Sequence, residues 1–220
     1  MRTGMNLWEK VELSKLVIEH AIQKHPRLFV SCSFGKDSRV LADLVMQIKP
    51  DVEFIGIDTG YEFDQTLSFG EELVRETGMN FRWVRPPEEE RKRIEAEFGD
   101  AIIKDDRYKC CEMKVPALKT VLPLFDAWIT GLRRDENEFR QHAPLIDLSS
   151  VVKVNAIAFW TKEDVWAYIT EKGLRYHPLY DEGYASLGCR PCTSKQANTE
   201  RGGRFAGTSH QGQECGLHLA

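Results

Sequence analysis

Apolar residues recur at helical spacing from Val11 to Gln23, and again over Val40-Leu41-Ala42-Asp43-Leu44-Val45-Met46. Between and beyond these stretches stand short runs rich in β-branched and aromatic residues. They are Leu28 to Cys32, Glu53 to Asp58, Phe81 to Val84 and Asp126 to Gly131. A further helix is predicted near Phe63 to Glu76. Thr161-Lys162-Glu163-Asp164 has the pattern of a capping box ahead of a helix through Val165, Trp166 and Ile169. Strands alternating with helices predict an α/β fold: a mainly parallel, twisted sheet with helices on both faces and right-handed crossovers. After Tyr176 periodicity fades and Gly, Pro and Cys become frequent, as expected of a loop-rich C-terminal segment organised around a ligand. The 220 residues read as a single domain, with a core over about 28–193 and a C-terminal segment over 194–220.

Composition narrows the class. A hydrophobic fraction of 42% suffices for a full core, and a net charge of −4 implies no general affinity for nucleic acid. No stretch approaches the ~20 apolar residues that cross a membrane. No long apolar run marks the first residues as a signal peptide. Unpaired cysteines without an export signal predict a reducing, cytoplasmic setting.

The six cysteines then divide by pattern. Cys110 and Cys111 are adjacent, and Cys189-Arg190-Pro191-Cys192 is a C-x-x-C. Structural zinc takes cysteines spaced by two to four residues, which suits the second pair and not the first. Neighbouring thiolates reach separate corners of an iron–sulfur cubane more easily than one small tetrahedral ion. The set therefore favours a [4Fe–4S] cluster over zinc. The bland alternative makes Cys110 and Cys111 apolar core and the C-x-x-C a chance turn. Lys109, Arg190 and Pro191 speak against it. Cys32 lies in an apolar run and reads as core, as do Trp160 and Trp166. Cys215 stands apart in Glu214-Cys215-Gly216-Leu217-His218, where an accessible thiolate would be a nucleophile.

Ser31-Cys32-Ser33-Phe34-Gly35-Lys36-Asp37-Ser38 carries hydroxyls, a glycine and a lysine between a predicted strand and helix. A helix N-terminus there would bind an anion through its amides and dipole. It is not a Walker A motif, because G-x-x-x-x-G-K-[ST] is absent. An ordinary βα loop with capping Ser and Asp explains it equally well.

Ser33-Phe34-Gly35-Lys36-Asp37-Ser38 resembles the pyrophosphate-binding loop of the adenine nucleotide α-hydrolase-like superfamily. Ile57-Asp58-Thr59-Gly60-Tyr61 resembles its second nucleotide-site strand end. The tandem cysteines, Trp128-Ile129-Thr130-Gly131-Leu132-Arg133-Arg134, Gly188-Cys189-Arg190-Pro191-Cys192-Thr193, Arg201-Gly202-Gly203-Arg204-Phe205 and the terminal E-C-G-L-H narrow the likeness. In that order they resemble the cluster-containing adenylyl-sulfate / phosphoadenylyl-sulfate reductases of assimilatory sulfate reduction. The resemblance implies one [4Fe–4S] cluster on Cys110, Cys111, Cys189 and Cys192. It implies that Cys215 attacks the electrophilic sulfur of the phosphosulfate, leaving a Cys-S-sulfonate that thioredoxin or a similar dithiol discharges as sulfite. Substrate contacts are expected from Ser31, Ser33, Gly35, Lys36, Asp37, Ser38, Asp58 and Thr59. For the oxyanions the candidates are Lys114, Arg133, Arg134, Arg201 and Arg204, with His218 near the thiol. Adenylyl sulfate and its 3′-phosphorylated form both remain open as substrate, and so does a homo-oligomer. Neither a nucleic-acid nor a membrane partner is implied. Gly212 stands where family members usually carry a basic residue.

Two rivals remain at this stage. An ATP pyrophosphatase-type enzyme, such as a sulfurylase subunit or a sulfur-inserting nucleic-acid modifier, would use the same loop but needs no terminal thiol. A non-catalytic iron–sulfur scaffold would need the four cysteines without Arg201, Arg204 and Cys215.

Overall fold

The computed structural model describes residues 4–195, 199–212 and 214. Helix α1 (Leu7–Lys24) opens on a capping box between Asn6 and Glu9 and buries Val11, Val17, Ile18 and Ala21. Strand β1 (Leu28–Ser31) leads into α2 (Lys36–Ile48), β2 (Glu53–Ile57), α3 (Asp64–Thr77) and β3 (Phe81–Val84). Helix α4 (Glu88–Phe98), a hairpin of β4 (Ile103–Lys104) and β5 (Arg107–Tyr108), and α5 (Lys109–Val121) precede β6 (Ala127–Thr130). Strands β7 (Ile146–Asp147) and β8 (Val152–Asn155) and helix α6 (Lys162–Glu171) follow.

The main sheet has the order β3-β2-β1-β6-β8-β7. Every neighbouring pair is parallel except β7, which runs antiparallel to β8 at the edge. Side chains of β1 alternate between two layers, as the period of a strand requires. Leu28 and Val30 join the layer formed with α1, α2 and α6, while Phe29 joins Ile55, Trp128 and the Ala117, Leu118 and Val121 face of α5. The expected α/β fold with helices on both faces is what the chain adopts. Thr161 does cap α6, with Asp164 completing the box.

Two departures bear on function. The helix predicted over Val40–Met46 begins earlier, so that residues 36–38, placed between strand and helix in the sequence, form the first turn of α2. The chain reverses just before, at Phe34, whose φ of +58° is left-handed. A phenylalanine resists that conformation. Its ring offsets the cost by burial against Phe69, Phe81 and Trp83. Gly70 makes room, since a Cβ there would lie 2.6 Å from that ring. The second departure is α5, which carries Cys110, Cys111 and Lys114 on a helix that periodicity did not reveal.

Candidate active site

The strand order reverses about β1, so the loops after β1 and β6 diverge from the same edge and leave a crevice. Gly131 lets the two loops approach: a Cβ there would stand 3.3 Å from backbone atoms of Asp37 and Ser38. A cavity of about 180 Å³ fills this crevice. One side is apolar, with Phe29, Ile55, Leu118 and Trp128. The other side is polar, with Ser33 and Ser38 of the loop and the cations Lys114, Arg140, Arg201 and Arg204. A flat ring with an anionic tail suits such a division.

Charge around the cavity is organised in two networks. In the first, Lys36 Nζ lies 2.8 Å from Asp37 and 2.5 Å from Glu200, and Arg133 binds Asp37 at 2.6 Å and also Glu200. Lys36 is 1% exposed and Arg133 0% exposed. Burial opposes the Lys36 charge, but Asp37, Tyr180 and Glu200 hold its pKa raised. Burial would likewise lift the Asp37 carboxyl, yet Lys36 and Arg133 hold it at about 2. In the second network Arg140 grips Glu214 through Nε and Nη2, each at 2.6 Å, and also pairs with Glu136. Asn137 donates to Glu214 at 2.9 Å. Against the cost of burial, these contacts draw Glu214 down to about 2. Arg201 stands 3.7 Å from Glu136 and 3.9 Å from Glu214. Its pKa is lowered by burial and by the neighbouring Arg140.

Beside the cavity lies a sulfur pocket. Cys110, Cys189 and Cys192 are buried with Tyr108 and Phe205, and half-buried Cys111 packs against them. The Cys110 thiol is in hydrogen-bonding reach of the other three, which raises its pKa, while the same sharing lowers Cys192 to about 2. Helix α5 delivers the first pair. The second is fixed by Arg190 N–H donating to Tyr61 O at 2.8 Å and Phe205 N–H donating to Cys192 O at 2.9 Å. Glu62 lines the cavity and accepts from the Cys189 thiol at 3.2 Å. Burial and the sulfur push its carboxyl up to about 8.

Arg204 joins pocket and cavity. It lines the cavity while Nη2 donates to Cys192 Sγ at 3.4 Å and Nη1 donates to Thr193 Oγ1 at 3.1 Å. It crosses Gly188 so closely that a Cβ there would lie 1.5 Å from Nη1.

The cavity thus gathers Ser31, Ser33, Gly35, Asp37, Ser38, Lys114, Arg201 and Arg204 from the expected contacts. Lys36 and Arg133 stand behind it in the first network. Asp58 pairs with Arg85 at 2.7 Å, and Thr59 lies 3.4 Å from Cys189 Sγ. Arg134 donates to Ala143 O at 2.7 Å and stacks on Phe159. Cys215 and His218 lie outside the described residues. Cys32 is buried, as core residues are, although it also borders the cavity. Sequence reasoning did not find Arg140, Glu136, Glu62, Tyr180 or Glu200. None sits inside a motif singled out above, although Glu62 directly follows Ile57-Asp58-Thr59-Gly60-Tyr61 and Glu200 directly precedes Arg201-Gly202-Gly203-Arg204-Phe205.

Residues 27–195 match the family described as the phosphoadenosine phosphosulfate reductase domain, and the chain belongs to that family. It is 42% identical over 198 residues to the adenosine 5′-phosphosulfate reductase of Geobacillus kaustophilus, covering 86% of this chain and 83% of that protein. The protein of the same name from Staphylococcus epidermidis is 37% identical over 196 residues, covering 86% and 80%. In fold, the chain is similar to a phosphoadenylyl-sulfate reductase of Candida auris in a phosphate complex. The TM-score is 0.69 at 24% identity, over 88% of this chain and 100% of that one. The FMN adenylyltransferase of Candida glabrata shares the fold at a TM-score of 0.65 and 18% identity, over 88% and 69%. Among the described residues no helix is long and apolar enough to cross a membrane.

Proposed function

We propose that the chain reduces adenylyl sulfate to sulfite and AMP in sulfate assimilation, drawing electrons from thioredoxin or a similar dithiol. The observation that carries this reading is the junction at Arg204, where a four-thiol pocket meets a cation-lined cavity. The relatives that share most of the chain's length and bear the name adenosine 5′-phosphosulfate reductase support it.

Cys110, Cys111, Cys189 and Cys192 fit a [4Fe–4S] cluster, since three buried thiols and the half-buried Cys111 converge with no other ligand needed. When bound, such a cluster would tie α5 to the 189–192 turn and add field near the cavity. The remaining steps belong to the chain's own residues. The apolar wall would take the adenine, and Arg140, Arg201, Arg204 and Lys114 would hold the phosphosulfate oxygens. The Cys215 thiolate would attack sulfur, the S–O bond to phosphate would break, and AMP would leave with that oxygen. A dithiol would then attack Cys215 Sγ, sulfite would depart, and the second thiol would release Cys215 as the donor becomes a disulfide. The dithiol loses two electrons and sulfur falls from the sulfate to the sulfite level.

The test is anaerobic turnover with adenylyl sulfate and thioredoxin, alongside mass analysis of enzyme given substrate but no reductant. Sulfite release and a single SO₃ adduct on the peptide with Cys215 are expected. Cys215→Ser should keep its iron and make no sulfite. An adduct on Cys32, or normal turnover by that variant, refutes the mechanism.

A further inference from the structure

The loop that resembles a pyrophosphate cradle is already filled from within. Its first helical N–H, on Lys36, donates to the hydroxyl of Tyr180 at 2.9 Å. That hydroxyl presses on the loop, so a Cβ at Gly35 would stand 3.3 Å from it. The ring behind it is braced edge-on against Trp166 of α6, with centroids 5.2 Å apart. The Lys36 ammonium is consumed in the same way. Glu200, from the C-terminal segment, meets it at 2.5 Å, and Asp37 meets it at 2.8 Å. Glu200 also pairs with Arg133. Two cations, Lys36 and Arg133, therefore face two carboxylates, Asp37 and Glu200, and their charges cancel. The Glu200 side chain is 8% exposed, which leaves little room for a solvent-borne anion to replace it. Glu136 crowds the same place, within 4.8 Å of Asp37 and Glu200.

A further phosphate arriving here would find no uncancelled cation and no open amide at Lys36. It would meet three carboxylates instead, and like charge at that range disfavours it. We propose that Tyr180 and Glu200 are specificity-determining residues, which seal the loop so that the cavity holds a nucleotide ending in two tetrahedral groups and rejects a nucleoside triphosphate. The inference rests on reading the cavity as a sulfonucleotide site. ADP has the two-group length of adenylyl sulfate, and ATP adds the group the seal would exclude.

Calorimetry on the iron-loaded full chain would compare ADP with ATP, in wild type, Glu200→Gln and Tyr180→Phe. Iron content would be checked for each variant. Wild type should bind ADP at least about ten-fold more tightly than ATP, the scale of one charge-assisted contact. Each variant should narrow that ratio several-fold, because glutamine leaves Lys36 and Arg133 to share Asp37, with one carboxylate charge fewer against them, and phenylalanine frees the amide. A purely structural role would weaken both nucleotides alike. Equal binding of ADP and ATP by wild type overturns the proposal. So does an unchanged ratio in both variants. Should Glu200→Gln fail to fold, the wild-type ratio and Tyr180→Phe still decide. If wild type fails to reduce adenylyl sulfate yet shows these ratios, the assigned activity falls and the seal stands.

Discussion

The sheet and the C-terminal segment beside its cavity are held by different forces. In the sheet, Leu28, Val30, Phe54 and Ile129 pack with residues of four helices, α1, α2, α3 and α6, in a continuous apolar layer. From residue 182 to 214 the buried apolar side chains among the described residues are Cys189, Cys192 and Phe205. That stretch is fixed by sulfur, by Glu200 and Glu214 in ion pairs, and by backbone bonds. Apolar burial is indifferent to ligands and largely to pH, whereas thiols and ion pairs are not. The fold thus supplies an apolar wall, and beside it lies a stretch held by groups that respond to metal, ligand and pH. Both parts share one device. Phe205, like Phe34, turns its chain at a left-handed φ, +55°, and secures the turn by burying its ring, here against Tyr108.

The strongest way to break this division is to remove a thiol. Cys192→Ser should lose iron and sulfite formation together, and limited proteolysis should cut the 182–214 stretch while the sheet resists. Cleavage spread evenly over the chain would show the two parts melting as one. Arg140→Ala comes next. It leaves Glu136 and Glu214 without their shared cation, so the KM for adenylyl sulfate should rise roughly ten- to a hundred-fold with iron retained. Unchanged kinetics would return Arg140 to a bracing role. Acid gives a milder separation. Glu214 and Asp37 titrate at about 2 in the fold and near 4 when unfolded, by their ordinary values of about 4.3 and 3.9. Their depressed pKa values stabilise the fold above pH ~4, and that contribution disappears as pH falls toward ~2. Hydrogen exchange should quicken around 199–214 in that window before the strands respond. The smallest effect sharpens the contrast from the other side. Thr161→Ala removes the α6 cap and should cost about 1 kcal/mol of stability without altering iron content or turnover.

What the sequence disclosed follows the same division. Strands β1, β2, β3 and β6 were legible because their apolar runs are bounded by turn residues and feed one layered core. Helix α5 was not, because Lys109, Glu112 and Pro116 interrupt its pattern and its cysteines face a sulfur pocket instead of an apolar one. The two-residue β7 was too short to announce itself, and β8, although as long as β1, has Lys153 and Asn155 alternating with its two valines and only half of it buried. The thiol set and the loop could be named from spacing. The networks could not: Lys36 and Glu200 are far apart in the chain, and a charged residue in a formless stretch reads as solvated until its partner is seen. The same holds for Tyr180, whose hydroxyl matters only through an amide 144 positions away.

Gly188 carries a consequence for protein engineering. The guanidinium of Arg204 occupies the volume that any other residue's first carbon would fill, 1.5 Å from Nη1. The displaced group is the tip of a long, jointed side chain, so alanine at 188 would evict it and leave the backbone in place. A single methyl group would then act as a positional gate for charge, with every ionisable residue of the protein still present. In a randomised library the two positions would covary: bulk at 188 would survive only alongside a shorter side chain at 204.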